Sequence, residues 1–565
     1  MIIKSIIFSL IFIYPLIYVP VFTNALDIPK LALFSLLILP VIFIKSANIL
    51  LSKSVNFNWF KSDLWIILFA LSYIISGIFA SSSFMNSFFF PGTASFVILG
   101  TVLYFFIKRL KDEDKKQIQA VLVLSAFFVS IVQIVFSAFG NDNNSLFLII
   151  VSLPIAFYKT FKSKSLEAKL MFAVCAFVIF ASAFAGVYGQ LIQPAKTANL
   201  NFVSGWNIAL DSIKINILGV GPGNFSEGFS RFRPITYNLS PQWDMVHNLS
   251  SNSFLTIVTE AGIISILAFL ALFFESFRKI NLENPIGASL VLCFIFLLLF
   301  PISASVYPLI LLLISLTENP PIKFVRIESK MLLILSAIVP ILIASISSFF
   351  VFKFFYAEYL LSQLTKNITT SDNAKVYQTI NKVVQINPWN DRYHLAASEI
   401  YFAFAKNILQ KENISDEEKK TVAGLIQQSI SENKAAISVN PRKSFNWEKM
   451  GDRYLEILTA VKEADKFAIE AYNQAIFLNP INPLLRNKLG VTYYKTGNYK
   501  DSIKALDLAV LAKPDLAASH FNLALSYKAN QENEKAKEHL NIALSLVSQN
   551  SSDYEVIKKE IDLLN

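Results

Sequence analysis

PLLRNKLGVTYYKTGNYKDSIKALDLAVLAKP, residues 483–514, decides how the second half of this chain folds. Leu489-Gly490 and Tyr493 fall in one helical block, Leu506 and Ala509 in another, with Gly497 and Tyr499 between them and Pro514 after them. Such spacing predicts two helices joined by a tight turn. The small residues let the two helices touch, the aromatic residues fill the gap to the neighbouring pair, and the proline ends the second helix. Asn-Pro or Lys-Pro recurs at 387–388, 440–441, 479–480 and 513–514, and the last step, Pro480 to Pro514, is 34 residues. A fixed period of that length predicts an α-solenoid of stacked helical hairpins.

In period and packing positions this region resembles the tetratricopeptide repeat. The following unit offers Leu523-Ala524, Tyr527, Ala536, Leu540 and Ala543. The preceding one has Trp447, Met450-Gly451, Tyr454, Ala468, Tyr472, Ala475 and Pro480, with a short insertion in its middle. A degenerate unit spans 388–441, with a longer insertion around Asp416-Glu417-Glu418, and Ser502 stands where the repeat usually has alanine. The resemblance implies a concave face that binds a protein or peptide partner; a spacer that only holds the rest of the chain near the envelope is the alternative. His394, His520 and His539 are scattered and read as core or surface residues.

Upstream of the repeats the material changes. The whole chain of 565 residues is 54% hydrophobic and 16% charged, with 51 Phe. The excess lies before about residue 353, which places a domain boundary there: 1–352 and 353–565. Eleven apolar stretches are long enough, or nearly so, to cross ~30 Å of hydrocarbon. They run over about 4–22, 29–45, 63–80, 88–107, 118–139, 145–158, 168–190, 253–274, 286–301, 304–317 and 331–352. Met1 to Phe22 reads as an uncleaved first helix in preference to a signal peptide ending near Thr23-Asn24-Ala25. The fold class expected is all-α: a polytopic membrane bundle of about eleven spans followed by the repeat solenoid.

The loops sort into two sets. One carries Lys45, Lys53 and Lys61; Lys108, Arg109, Lys111, Lys115 and Lys116; Lys159, Lys162, Lys164 and Lys169; Arg278 and Lys279; and Lys323, Arg326 and Lys330. The alternate set, 81–87, 140–144 and 302–303, has no basic residue. Positive loops stay in the cytoplasm, so the N-terminus is expected inside, with loop 191–252 and the repeats outside. The net charge of +10 is thus topology information. Most of it sits in the connecting loops of the apolar half, and the polar half is close to neutral, which argues against nucleic acid as a partner; membrane lipid is the expected surroundings. Cys175 and Cys293 both lie in predicted spans, so the soluble parts hold no thiolate metal site. Transport is disfavoured because the span centres carry almost no ionisable residues.

Loop 191–252 carries the candidate chemistry. Phe202, Trp206, Ala209, Ile213 and Ile217 recur at helical spacing, which suits a helix lying on the membrane face or packing in the core. Gly219-Val220-Gly221-Pro222-Gly223 is neither a Walker loop nor a dinucleotide fingerprint. As bare physics it is a turn-rich strip with exposed amides; such strips can bind phosphate and more often simply make turns. Arg231 and Arg233 suit a phosphate, a pyrophosphate or lipid head groups. His247, the sole histidine of the apolar half, is the best available base.

Gly219-Val220-Gly221-Pro222-Gly223-Asn224-Phe225 resembles the loop signature of O-antigen ligases and the related Wzy-type polymerases. Ser251-Asn252-Ser253-Phe254-Leu255 with Glu260-Ala261-Gly262 resembles their next motif, His-Asn-Ser-Tyr-Leu followed by Glu-x-Gly. Gly140-Asn141-Asp142-Asn143-Asn144 through Leu153-Pro154 is similar to an earlier element. The resemblance covers about residues 120–275 in motif and 1–352 in topology. It implies a glycosyltransferase in the bacterial cytoplasmic membrane that takes a glycan from undecaprenyl pyrophosphate and needs neither metal nor other cofactor. An acceptor hydroxyl displaces the pyrophosphate outside the membrane. Arg231, Arg233 and His247 would be catalytic; Gly219, Gly221, Gly223, Asn224, Ser251 and Asn252 would bind substrate. The family histidine before Asn252 is Ser251 here, and His247 shares its face if this stretch is helical. The family arginine ahead of Trp206 is absent. A Wzy-type polymerase and a non-catalytic scaffold for envelope proteins are the alternatives.

Overall fold

A computed structural model describes residues 2–19, 25–52, 54–89, 92–136, 143–192, 199–278, 284–317, 321–367 and 372–564. Thr23-Asn24 and Gly140-Asn141-Asp142, singled out above, lie outside the described residues. The chain forms two compact units: Met1–Phe225 with His247–Asn387, and Ser226–Val246 with Pro388–Asn565.

In the first unit eight stretches are long and apolar enough to cross a membrane, judged by length and composition among the described residues. These are Asp27–Leu51, Lys61–Phe79, Phe84–Lys108, Asp112–Val135, Asn143–Lys162, Leu166–Tyr188, Ser253–Phe277 and Lys330–Lys366. Three shorter apolar helices, Ile2–Ile13, Pro285–Leu299 and Ala304–Ser315, accompany them. The helix expected over 4–22 stops at Ile13, because Pro15 lacks an N–H and disfavours helix at Tyr14. Helix Lys330–Asn367 runs through residue 353 unbroken, so the composition shift falls inside one helix. The packed centre is aromatic: Phe69 lies 5.0 Å from Phe269 and 5.0 Å from Tyr73, and Tyr73 lies 5.9 Å from Tyr307.

Among the described residues one feature departs from an all-helical chain. Val55–Trp59 pairs antiparallel with Lys323–Ile327, Val55 opposite Ile327 and Trp59 opposite Lys323. Each strand sits in a polar connector far from the other in sequence. Their alternation gains meaning only once paired, which is why local reading passed over them.

The second unit holds four antiparallel helical hairpins. They are Asp391–Leu409 with Asp416–Val439, Ser444–Glu456 with Ala464–Leu478, Pro483–Lys495 with Tyr499–Ala512, and Ala517–Ala529 with Asn533–Leu546. Helix Ser552–Asp562 follows. The tetratricopeptide packing residues close these hairpins: a Cβ added at Gly490 would lie 2.4 Å from Leu506 Cγ. Ser502 is accommodated because its hydroxyl donates to the Gly490 carbonyl at 2.8 Å. A further device recurs every repeat. The residue six after each proline donates a side-chain N–H back to that proline's carbonyl: His394 to Pro388, Trp447 to Pro441, Arg486 to Pro480 and His520 to Pro514, at 2.8–2.9 Å. His394 and His520 are therefore one repeat position, filled by different N–H donors in the other units.

His394 also faces Glu432, with Nδ1 2.6 Å from Oε2. Burial opposes the imidazolium, but the Glu432 carboxylate and the Pro388 carbonyl outweigh it and raise the pKa above 6.5. A raised histidine contributes stability that is full below its unfolded value and is lost as pH rises through its folded value. The melting midpoint of the full-length protein should therefore fall as pH is raised from 6.5, and His394→Gln should flatten that part of the curve. Parallel curves for the two proteins would refute the assignment.

Candidate functional site

The site begins at a helix that breaks. Asn252 caps helix Ser253–Phe277, its side chain accepting the Leu255 N–H at 2.9 Å. Two and a half turns later Gly262 takes φ 75°, ψ −168°. The break frees the carbonyls of Thr259 and Glu260, and the glycine strip occupies them. Val220 N–H donates to Thr259 O and Gly221 N–H to Glu260 O, both at 2.9 Å, while Ile263 N–H donates back to Ile217 O at 3.1 Å. Ser76 Oγ bridges the Leu218 and Glu260 carbonyls at 2.7 and 3.0 Å. The buried Glu260 carboxylate accepts hydrogen bonds from the Gly223 and Phe225 amides and the Thr93 hydroxyl. The strip is a collar around Glu260.

This arrangement explains the glycines and corrects one expectation. Gly219 sits at φ 78°, where a Cβ would lie 2.4 Å from Thr259 O; at Gly221, φ 97°, it would lie 2.5 Å from Ser81 Cα. The strip's amides are not exposed for phosphate. Gly219 N–H donates to Asn216 O and Asn224 N–H to Gly221 O, and the rest serve the contacts above. The Asn224 side chain is equally committed, accepting from Asn86 Nδ2 at 2.9 Å and donating to Ser81 Oγ at 2.6 Å. Turn chemistry is legible in a local stretch, but the long-range acceptors that consume its N–H groups are not.

Around the cap, His247 and Ser250 are buried. The hydroxyls of Ser250 and Ser251 are enclosed beside Gly205, where a Cβ would meet them at 2.6 and 2.7 Å. Residues 246–252 are not helical, so His247 does not reach the family histidine position through a helical i, i+4 relation. The reason is Asn252 itself, since a capping residue adopts extended backbone and starts the helix after itself. Helix Phe202–Ile215 packs its small side, Ser204, Gly205, Ile208, Ala209 and Ser212, inward. It leaves Phe202 58% and Trp206 48% exposed, their rings stacked 6.2 Å apart.

Arg231 and Arg233 belong to the second unit, whereas the other seven predicted residues belong to the first. Arg233 is 6% exposed, and its guanidinium lies over the rings of Phe229 and Tyr237 at 5.2 and 5.4 Å. One Nη1 N–H donates to Trp243 O at 3.2 Å. Burial lowers its pKa to about 10, still charged at neutral pH. Arg231 is half-buried. Glu260, Thr93, Ser76 and Asn86 were missed as site residues; for Glu260 the signal was present in the Glu-x-Gly motif.

Known families match the repeats. A model described as TPR repeat covers residues 466–497, and one described as tetratricopeptide repeat covers 485–516. These residues are tetratricopeptide repeats. Among solved structures the chain is similar to MamA, at 20% identity over 32% of this chain and 92% of that one, with TM-score 0.26. It is similar to YrrB, a TPR protein with an unusual peptide-binding site, at 14% identity over 36% and 90%, TM-score 0.27. It is also similar to the first TPR of Spaghetti (RPAP3), bound to an HSP90 peptide, at 19% identity over 22% and 93%, TM-score 0.19. No curated protein sequence matches the chain.

Proposed function

We propose that the chain is an O-antigen ligase-like glycosyltransferase of the bacterial cytoplasmic membrane, with its repeats recruiting a protein acceptor or partner outside. The observation that carries this reading is the collar. The two motifs that suggested the family, Gly219–Phe225 and Glu260–Gly262, interlock through paired backbone hydrogen bonds. Stacked, exposed Phe202 and Trp206 suit a helix lying at a lipid surface, and the alternation of basic loops orients the bundle with loop 191–252 outside.

In the reaction the acceptor oxygen forms a bond to the anomeric carbon of the lipid-linked glycan as the bond to undecaprenyl pyrophosphate breaks. His247 takes the hydroxyl proton. Arg233 serves the loop's own packing. Tetratricopeptide arrays present an extended concave surface suited to a protein partner.

The test is transfer from an undecaprenyl-pyrophosphate glycan to components of an envelope extract, with His247→Ala beside the wild type. Loss of the base should slow transfer by about 10²-fold or more. Wild-type inactivity where a known ligase is active would favour the second reading, a membrane-anchored scaffold. That reading has its own support: the strip's amides and the Asn224 side chain are fully engaged inside the fold.

A further inference from the structure

Residues 226–246 form a strap. It leaves the first unit at Phe225, re-enters it at His247, and between these points is part of the repeat unit. Its anchor is Asn238, fully buried within that unit. Both protons of the Asn238 amide are spent on repeat carbonyls, Ile481 O at 2.8 Å and Ala512 O at 2.9 Å. Ile481 lies in the turn before helix Pro483–Lys495, and Ala512 ends helix Tyr499–Ala512. One amide therefore ties together the two ends of a single hairpin. It satisfies a carbonyl at a helix C-terminus that the helix itself leaves unpaired.

The repeat answers with a cation. Lys513 Nζ donates to Asn238 O at 2.9 Å, pairs with Asp515 at 2.8 Å, and lies 4.8 Å from the Trp243 ring centre. Two further contacts align the strap. Arg231 sits 5.7 Å from the Phe477 ring, and Tyr237 donates its hydroxyl to Gln242 O at 2.7 Å. Two reciprocal, desolvated hydrogen bonds from a side chain with two donors are a recognition geometry. An apolar residue at 238 would leave both repeat carbonyls without these bonds.

We propose that the turn edge of the repeats holds the chain's own strap in cis, through Asn238 and Lys513. That edge is a receptor for a segment of this chain, and a separate protein partner is left the concave face. The inference does not rest on the glycosyltransferase reading.

The experiment uses the full-length protein. An arginine-specific protease should cut Arg231–Phe232 slowly in the wild type. In Asn238→Asp and Lys513→Met it should cut about tenfold faster or more, the factor expected from losing one or two buried hydrogen bonds. Lys513→Arg, which keeps a cation with N–H donors and is followed by proline, should restore protection. Equal cleavage in all four proteins overturns the cis contact whether or not the protein transfers glycan.

Discussion

Gly262→Ala should cost more than ~4 kcal/mol and leave little folded protein, the largest single loss expected in the chain. The alanine methyl would sit 2.0 Å from Ile217 O and 2.7 Å from Leu218 Cα, both backbone atoms with no rotamer to escape into. The backbone there, φ 75° and ψ −168°, lies in a region that residues with a Cβ scarcely visit. Relief by straightening the helix is closed as well. It would return the Thr259 and Glu260 carbonyls to the helix and strip Val220 and Gly221 of their acceptors. The measurement is thermal unfolding of the purified protein, with Gly424→Ala as control. Gly424 has nothing within 4 Å of an added Cβ, in the middle of helix Asp416–Val439. There alanine should stabilise the helix by about 0.5–1 kcal/mol. A Gly262→Ala protein that melts with the wild type would mean that the kink is incidental and the collar is not what holds this face together.

The contrast between these two glycines marks what the sequence could disclose. Repeats are legible because each unit buries its neighbour through residues a fixed distance apart, so Gly490, Leu506 and Pro514 carry their meaning locally. Ser502 looked like a flaw until its hydroxyl was found on the Gly490 carbonyl. His394 and His520 looked scattered because the repeat demands an N–H donor at that position and histidine, tryptophan and arginine all meet it. The glycine strip declared its turns but not its purpose. The N–H groups of Val220, Gly221, Gly223 and Phe225 end on Thr259 and Glu260, some forty residues on, and no local pattern distinguishes a collar from a phosphate cradle. Arg231 and Arg233 stand two residues apart yet differ in surroundings, since the Arg233 guanidinium is enclosed by Phe229, Tyr237 and the Trp243 carbonyl. Burial of that kind is a tertiary fact.

Arg109→Lys should destabilise the protein although it preserves the charge. Arg109 was first legible as one of five basic residues in a connecting loop, where any cation would serve. Its surroundings ask for more. One Nη2 donates to Asp63 Oδ2 at 2.7 Å and to Asn58 O at 2.9 Å, and the guanidinium lies 4.0 Å from the Phe57 ring centre. Asp63 is fully buried and also accepts the Phe60 N–H at 3.1 Å and the Tyr104 hydroxyl at 2.9 Å. The pair thus joins the start of helix Lys61–Phe79 to the end of Thr93–Lys108 and to the strand Val55–Trp59. Lysine lacks the planar guanidinium face that stacks on the Phe57 ring while its nitrogen donates to Asp63 and Asn58. Asp63→Ala, which strands a mostly enclosed guanidinium, should cost about 3–5 kcal/mol, and Arg109→Ala a similar amount by stranding the carboxylate. The double variant should cost less than the sum of the two, because the second removal also removes the orphan left by the first. If Arg109→Lys melts with the wild type while Asp63→Ala is costly, the carboxylate matters as a helix cap and the arginine only as a charge. If all three single variants melt with the wild type, the cluster contributes nothing that the apolar packing around it does not already supply.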